Sequence, residues 1–596
     1  MQSSTDDIFL VFDFAAESGQ PERLCFTKPI EIIAAHTADE VRPALRAVEQ
    51  AARAGLYAAG YVSYEAATAF DPALAVRRDA SMPLLWFALF RKPTDSAPHT
   101  HGDFQVSKWQ PATDRQTYER NVTAVRAAIA RGDTYQVNYT IRLRAQFAGD
   151  AYTFYKRLAA KQRAAYCAYL HTGRHTILSA SPELFFRWHD KQITTRPMKG
   201  TMRRGLWFAE DEALALGLAA SEKNRAENVM IVDLMRNDLG RIAETGSIAV
   251  RDLCRVERYP TVLQMTSTVA AQTRADVKLE DIFAALFPCG SVTGAPKVST
   301  MRLIAALEDA PRNIYCGSVG LIKPNGEASF NVAIRTVLLD RKTGAAEYGV
   351  GGGITWDSTA AEEYEEALTK AAPLTADWPE FQLLETFRLE RGRYALLARH
   401  LQRLERSANY FAFSISINAA RQALETHARS FPIGARRVRL LVAADGAMRV
   451  ESTPLDEAPP APLPVALATT PVARADSFLY HKTTHRAVYE SQRAQHAEAF
   501  DVLLWNEDDE LTEFMNGNLV VELQGQRFTP PRECGLLAGT MRAELLAQGE
   551  IVERVITRAD LAHVSRLWLI NSVRGWVPVY LDDAVQQLAQ QSAAMV

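Results

Sequence analysis

The run Phe287-Pro-Cys-Gly-Ser-Val-Thr-Gly-Ala-Pro-Lys297 is the densest concentration of unusual residues in the chain. Glycines and prolines punctuate a loop that then enters a helix, and small residues at such a junction let backbone amides approach an anion. Alone, the run also reads as a plain turn and helix start. A second run, Tyr348-Gly-Val-Gly-Gly-Gly-Ile354, offers consecutive glycine N–H groups that can form an anion-binding nest. The helix after it, Ala361 to Lys370, sets Glu363, Glu366 and Lys370 on one face by i+3 and i+4 spacing. On an isolated helix that pattern is a solvated face. Glu227 opens a further helical run, Glu-Asn-Val-Met-Ile-Val-Asp-Leu-Met-Arg-Asn-Asp238, apolar inside and charged at its ends. Carboxylates at two helix positions suit a Mg²⁺ ion held against an anionic substrate.

Outward from these runs, long helices (Asp114 to Arg131, Ala209 to Leu239, Val298 to Leu307) mix with apolar or alternating strands (Thr176 to Ser179, Leu184 to His189, Ala333 to Leu339). The mixture predicts a large α+β domain with antiparallel sheets flanked by helices. Three connectors break the pattern: Lys92 to Asp103, Ala371 to Glu380 and Thr453 to Pro464. The second sets the main boundary, giving domains over 1–372 and 381–596 with a linker at 373–380. The third divides the C-terminal half into two α/β lobes, with strands at Val438 to Ala444 and Val465 to Thr469 and helices at Arg399 to Ala412 and Thr484 to Ala497.

At 596 residues the chain is long enough for several cores. Its 67 Lys and Arg against 70 Asp and Glu leave a net charge of −3, with no field of one sign to draw nucleic acid or an anionic membrane. With 47% hydrophobic and 23% charged residues the composition is globular, not disordered. The acidic N-terminus lacks the positive region of an export signal, and no apolar stretch approaches bilayer-spanning length. The six cysteines, Cys25, Cys167, Cys254, Cys289, Cys316 and Cys534, include no Cys-x-x-Cys pair. The expectation is a cytoplasmic protein without disulfides.

Taken in order, these motifs resemble the chorismate-utilising enzymes from about Asp114 to Ala372. The matching runs are Gly132-Asp-Thr-Tyr-Gln-Val137, Ser181-Pro-Glu183, Arg196-Pro-Met-Lys-Gly-Thr201, Glu227-Asn through Arg241, Phe287 to Lys297, Ala333-Ile-Arg-Thr336, Gly351 to Gly353 and Asp357-Ser. The resemblance implies that Glu227 and Glu366 hold Mg²⁺ against the ring carboxylate, with Glu363 in support. It also implies that Arg335, Lys370, Tyr315, Ser291 and the amides of Gly351, Gly352 and Gly353 fix the substrate. Members that add water carry a lysine base where this chain has Gln136, so the resemblance points to amination. Anthranilate synthases carry alanine where this chain has Lys199, and a lysine there resembles the aminodeoxychorismate synthases. Lys199 is then the nucleophile and Glu183 the general acid and later base. Two positions depart from the pattern: Gln264 replaces a common histidine, and Met198 a common isoleucine. No cysteine lies in Gly-x-Cys-x-Gly, the nucleophile elbow of a glutamine amidotransferase, so the resemblance implies a separate glutaminase subunit as ammonia source.

Downstream, the chain reads Leu383-Leu-Glu-Thr-Phe-Arg-Leu389, Arg399-His-Leu-Gln-Arg-Leu404, His481-Lys-Thr-Thr-His485, Leu511-Thr-Glu513 with Asn516 and Asn518, Leu536 to Arg542, and Asn571-Ser-Val-Arg-Gly575. His400 and Arg403, one helical turn apart, read either as core and surface or as a phosphate grip. This series resembles the fold-type IV pyridoxal-phosphate enzymes, and among them the aminodeoxychorismate lyases, from about Phe381 to Val579. The resemblance implies a Schiff base on Lys482, a pyridine-nitrogen partner in Glu513, phosphate contacts from Arg403, Gly539 and Thr540, and Thr386 and Asn571 on the substrate side. The family's N-terminal strand and glycine-rich turn ahead of Glu385 are shortened here, where Asp377-Trp-Pro arrives directly. The expected function is a bifunctional enzyme that aminates chorismate and then eliminates pyruvate to give p-aminobenzoate for folate synthesis. The alternatives are a C-terminal aminotransferase or a non-catalytic interaction module, and a homodimer through the C-terminal domain is a further expectation.

Overall fold

The computed structural model describes residues 7–15, 21–77, 82–95, 102–375, 379–456 and 460–581. Parts of all three expected connectors, with Asp377 and Trp378, lie outside the described residues. The chain forms two compact units, Met1–Arg204 with Ala215–Trp378, and Gly205–Leu214 with Pro379–Val596.

The first unit holds two large sheets. In one, the long strand Gln136–Gly149 pairs antiparallel with Ala345–Ile354, and the register sets Gly353 opposite Asn138 and Gly351 opposite Thr140. Beyond Ala345–Ile354 the sheet continues through Thr336–Asp340, His175–Ser181, Tyr166–His171 and Phe9–Ala15. In the other sheet, Met198–Arg203 pairs with Val262–Gln272, and the path runs on through Gln192–Arg196, Leu184–His189, Ala328–Val332, Ser318–Ile322 and Tyr57–Val62 to Leu85–Phe90 and Glu31–Ala35. Both carry apolar runs such as Phe9–Phe12 and Leu85–Phe90, as expected where each face of a sheet is covered. Phe185, Phe186, Phe283, Phe287 and Phe330 pack edge to face in one core beneath the second sheet.

Three expected elements change. The predicted helix Ala209 to Leu239 is two helices, Phe208–Ala220 and Glu222–Gly240, because Ser221 takes extended backbone and its hydroxyl caps Asn224 N–H. The predicted strand Ala333 to Leu339 begins only at Thr336, since Arg335 turns the chain through φ 52°. The predicted helix Thr484 to Ala497 is the shorter Ala487–Gln495.

The second unit has two sheets. A four-stranded sheet runs in the order Arg393–Tyr394, Leu383–Glu390, Ala435–Val442, Met448–Pro454, with the helix Leu397–Phe411 against it. An eight-stranded sheet carries Asp501–Trp505, Leu511–Phe514, Gly517–Leu523 and Arg566–Asn571. Within this unit Leu206 and Trp207 pack on a core formed by Val472, Leu479, Tyr480 and Val502, and Tyr410 Oη donates to Gly205 O at 2.8 Å. The six cysteines are buried and none forms a disulfide. Among the described residues no helix is long and apolar enough to cross a membrane.

Two candidate active sites

In the first unit the two sheets and the helices Glu222–Gly240 and Ala360–Thr369 enclose a cavity of about 190 Å³. It is lined by Glu183, Lys199, Glu227, Gln264, Ser291, Tyr315, Arg335, Gly351, Gly352, Gly353, Glu363, Glu366 and Lys370, so all but one of the residues expected there converge on it. The exception, Gln136, sits immediately behind Gly353, whose place could not carry a Cβ without striking the Gln136 amide and lying 2.6 Å from Lys199 Nζ. The glycines are therefore required by close approach of side chains as well as by amide exposure. Gly352 fills the same role toward Glu363, whose Oε2 would lie 2.9 Å from a Cβ there.

Lys199 stands on Met198–Arg203 and is half-buried, and this desolvation pushes its ammonium toward the neutral amine. Lys370 repels the same charge, while Glu227 and Glu183 oppose the shift. Burial also drives the Glu183 carboxyl up to about 7, against the pull of a 2.6 Å hydrogen bond from Ser291 Oγ. Cys289 Sγ lies 3.2 Å from that hydroxyl. Glu227 and Glu363 are raised by burial, and Glu366 is lowered by Lys370, whose Nζ lies 2.7 Å away. Lys370 Nζ also donates to Gly351 O at 2.9 Å, and the Arg335 guanidinium donates to Lys370 O. Tyr315 is buried against Gly349 with the Arg142 guanidinium over its ring, and burial keeps its hydroxyl protonated.

Gln264 lines the cavity with its amide hydrogen-bonded at both ends. Its Nε2 donates to Gly200 O at 2.8 Å and its Oε1 accepts from Thr201 Oγ at 2.9 Å. It braces the strand that carries Lys199, and Gly200 turns that strand at φ 90°. Lys223, Asn224, Asn138 and Tyr348 line the cavity too. Motif reading passed over them, although Asn224 lies three residues after the capping Ser221 and so was placeable once that cap was seen.

Among the described residues no group of three or more His, Cys, Asp or Glu side chains is gathered closely enough to hold an ion alone. Mg²⁺ rarely asks for such a cage, since it keeps waters and takes one or two carboxylates plus substrate oxygens. Glu227, Glu363 and Glu366 line one cavity and raise one another's cost of ionisation, so the donor set fits a cation that arrives with an anionic substrate.

In the second unit a cavity of about 440 Å³ is lined by Thr386, Arg403, Lys482, Glu513, Gly539, Thr540 and Asn571, all of them expected there. Lys482 is half-buried, and desolvation with the nearby Arg403 and Arg486 lowers its amine to about 8. Burial raises Glu513 to about 8, and Tyr489 Oη and Asn518 Nδ2 donate to its two oxygens at 2.9 and 3.3 Å. Asn518 Oδ1 accepts from Gly539 N, the cap of the helix Thr540–Ala547, at 3.1 Å.

Arg403 lines the cavity but is committed on its other side. Its Nε and Nη2 form a fork on Glu385 at 2.8 and 2.7 Å, and His400 Nδ1 reaches the same carboxylate at 2.6 Å. Burial alone would raise Glu385, yet the Arg403 charge and fork and the His400 hydrogen bond hold it near 2. His400 Nε2 faces Ser572 Oγ and Thr540 Oγ at 3.0 and 3.2 Å. The Asn571 amide is spent locally, accepting from Val573 and Arg574 N–H and donating to Asn516 O. Glu385 and His400 were quoted in the sequence runs without a shared role; only the fold brings them together.

A desolvated amine lowered to about 8, a buried carboxyl, a helix start and an arginine line one cavity, whose size and chemistry fit pyridoxal phosphate.

Comparison with known proteins agrees with both geometries. Residues 382–580 match the model of the amino-transferase class IV family. The Escherichia coli K12 protein "Aminodeoxychorismate synthase component 1" is 41% identical over 269 residues, which are 45% of this chain and 59% of that protein. The Bacillus subtilis protein of the same name is 39% identical over 274 residues, 46% of this chain and 57% of that one. The chain thus spans under two thirds of the length of these relatives. "Anthranilate synthase component 1" of Aquifex aeolicus follows at 38% over 266 residues, 45% of this chain and 53% of that protein, so overall identity hardly separates the two reactions. The crystal structure of anthranilate synthase component I from Streptococcus pneumoniae superposes with a TM-score of 0.51 at 26% identity, over 63% of this chain and 91% of that one. Residues 11–376, more than half of the chain, match the chorismate binding enzyme model, and the chain belongs to that family.

Proposed function

We propose that the first unit aminates chorismate to 4-amino-4-deoxychorismate, and that the second eliminates pyruvate from it to give p-aminobenzoate, a folate precursor. The functional division is 1–372 and 381–596, joined through 373–380. The observation that carries the reading is the desolvated Lys199 amine in one cavity with a protonatable Glu183.

Neutral Lys199 Nζ bonds to ring C2 as both conjugated ring double bonds shift by one bond and the C4–O bond breaks; Glu183 gives its proton to the departing hydroxyl, which leaves as water. Ammonia then bonds at C4, both double bonds shift back and the C2–N bond to Lys199 breaks. The new amine's extra proton passes to the Glu183 carboxylate, which restores the starting state. Glu227 and Glu366, with Glu363 beside them, would hold Mg²⁺, which supplies Lewis-acid stabilisation next to the ring carboxylate. Arg335, Tyr315 and the Gly351 to Gly353 amides orient the dianion. Ammonia comes from a separate glutaminase subunit, since no cysteine in the chain has the required elbow.

In the second unit Arg403, Gly539 and Thr540 would hold the phosphate of pyridoxal phosphate, which when bound supplies an electron sink. The Lys482 amine, with its low affinity for a proton, removes the proton from the amine-bearing ring carbon. Glu513 holds a proton at the pyridine nitrogen. Lys199→Ala and Lys482→Ala test the division of labour. The first variant is expected to lose amination, and the second to accumulate aminodeoxychorismate without pyruvate. Release of p-aminobenzoate by Lys482→Ala would overturn the elimination half, and full amination by Lys199→Ala the covalent route.

A further inference from the structure

The cavity of the second unit is lined by six cationic side chains, Arg403, Arg437, Arg439, Lys482, Arg486 and Arg574, against two carboxyl groups, Asp501 and Glu513. Most of these charges are spoken for. Arg403 is forked on Glu385, and Arg439 lies 3.0 Å from Glu451. Arg486 donates to Met515 O and sits over the Tyr489 ring. Both acids are occupied as well. Asp501 accepts from Val502 N, Met515 N and Asn516 Nδ2, and Glu513 from Tyr489 and Asn518.

Arg437 and Arg574 differ. Among the described residues neither guanidinium has an ion-pair or hydrogen-bond partner. Arg437 is also set directly opposite Arg388 across the strand pair Leu383–Glu390 and Ala435–Val442. Like charges in that relation repel, and Glu390 at 3.0 Å relieves only Arg388. Arg388 Nη1 reaches Val573 O, one residue before Arg574, so the strand pair and the loop that carries Arg574 meet at the cavity. Two guanidiniums without a partner, Arg437 exposed and Arg574 half-buried, thus line one cavity whose acids are both engaged, which leaves them to an anion from outside the chain.

We infer that Arg437 and Arg574 form a carboxylate clamp that selects a dicarboxylate amine over a monocarboxylate one. The inference rests on the reading of this cavity as the elimination site, and it adds what that reading leaves open: which groups recognise the second negative charge of the substrate. The amine end enters beside Lys482 while one carboxylate docks on the two guanidiniums, which fixes the ring carbon over the amine that takes its proton.

The test uses the full chain loaded with pyridoxal phosphate and the variants Arg437→Gln, Arg574→Gln and the double variant. Isophthalate, with two carboxylates in 1,3 relation, and benzoate, with one, are titrated while the cofactor absorbance is followed. KM for aminodeoxychorismate is measured alongside. Each single variant is expected to weaken isophthalate and raise KM by about tenfold, with benzoate and cofactor affinity unchanged. Unchanged isophthalate binding in the double variant overturns the clamp. So does a loss of pyridoxal phosphate affinity, which would assign the two arginines to the phosphate. If the wild-type chain fails to turn over aminodeoxychorismate yet binds isophthalate through Arg437 and Arg574, the elimination reading fails and the clamp stands.

Discussion

Replacing Glu385 by glutamine should destabilise the second unit strongly, and more without pyridoxal phosphate than with it. The carboxylate is 1% exposed and is held near 2 against an ordinary value of 4.5. At 1.36 kcal/mol per pKa unit the interactions favouring its charged form amount to about 3 kcal/mol. Removing the charge also strands Arg403, and breaking a buried pair from one side costs ~3–5 kcal/mol. For a unit of this size 1 kcal/mol moves the melting temperature by roughly 2–4 °C, so a drop of about 6–20 °C is expected. Because the folded pKa is depressed, the stabilisation is complete above about 4.5 and disappears as pH falls toward 2. The wild-type advantage over the variant should therefore shrink across that window. Phosphate bound at Arg403 gives the stranded guanidinium a new partner, so saturating pyridoxal phosphate should recover part of the loss. Calorimetry of the transition that shifts on adding the cofactor measures both effects. A variant that melts within about 1 °C of wild type without cofactor, or a deficit equal in both states, would refute the reasoning.

Gly353→Ala should remove most amination while the protein stays folded, because the new methyl occupies the space of the Gln136 amide and crowds Lys199 Nζ; circular dichroism with product assay checks this. With Glu183 at about 7, amination should decline as pH rises through that value, since the proton needed by the departing hydroxyl is lost. Ser291→Ala deletes a hydrogen bond that favours the charged carboxylate, so the alkaline limb of the pH profile should move to higher pH, and movement the other way would contradict the assignment. Chelation of divalent ions should abolish amination and leave elimination of supplied aminodeoxychorismate intact, which parallel assays of the two half-reactions measure.

Motifs made most of both sites legible because each motif is a local requirement. The glycines at 352 and 353 are needed where side chains crowd the backbone, and Lys199, Glu183 and Lys482 stand in runs that line the two cavities. What the sequence hid was pairing across long separations. Glu385 meets Arg403 and His400 only after strand Leu383–Glu390 packs on helix Leu397–Phe411, and Gln264 meets Gly200 through the register of two neighbouring strands. The position of Gln264 suggested the cavity, which it lines; that its amide also braces the Lys199 strand, through Gly200 O and the Thr201 hydroxyl, needed the fold. The long predicted helix at Ala209 to Leu239 failed for a local reason, the competing cap at Ser221. Nor did any pattern mark Gly205–Leu214 as part of the second unit, since Leu206 and Trp207 read as ordinary apolar residues until their core is seen.

The central claim is that one chain runs amination and elimination in sequence, and mass-spectrometric analysis of its products tests it most directly. Purified protein is supplied with chorismate, Mg²⁺, ammonium and pyridoxal phosphate. The account predicts p-aminobenzoate and pyruvate in equal amounts; anthranilate would contradict the role given to Lys199, and aminodeoxychorismate accumulating without pyruvate would contradict the role given to Lys482.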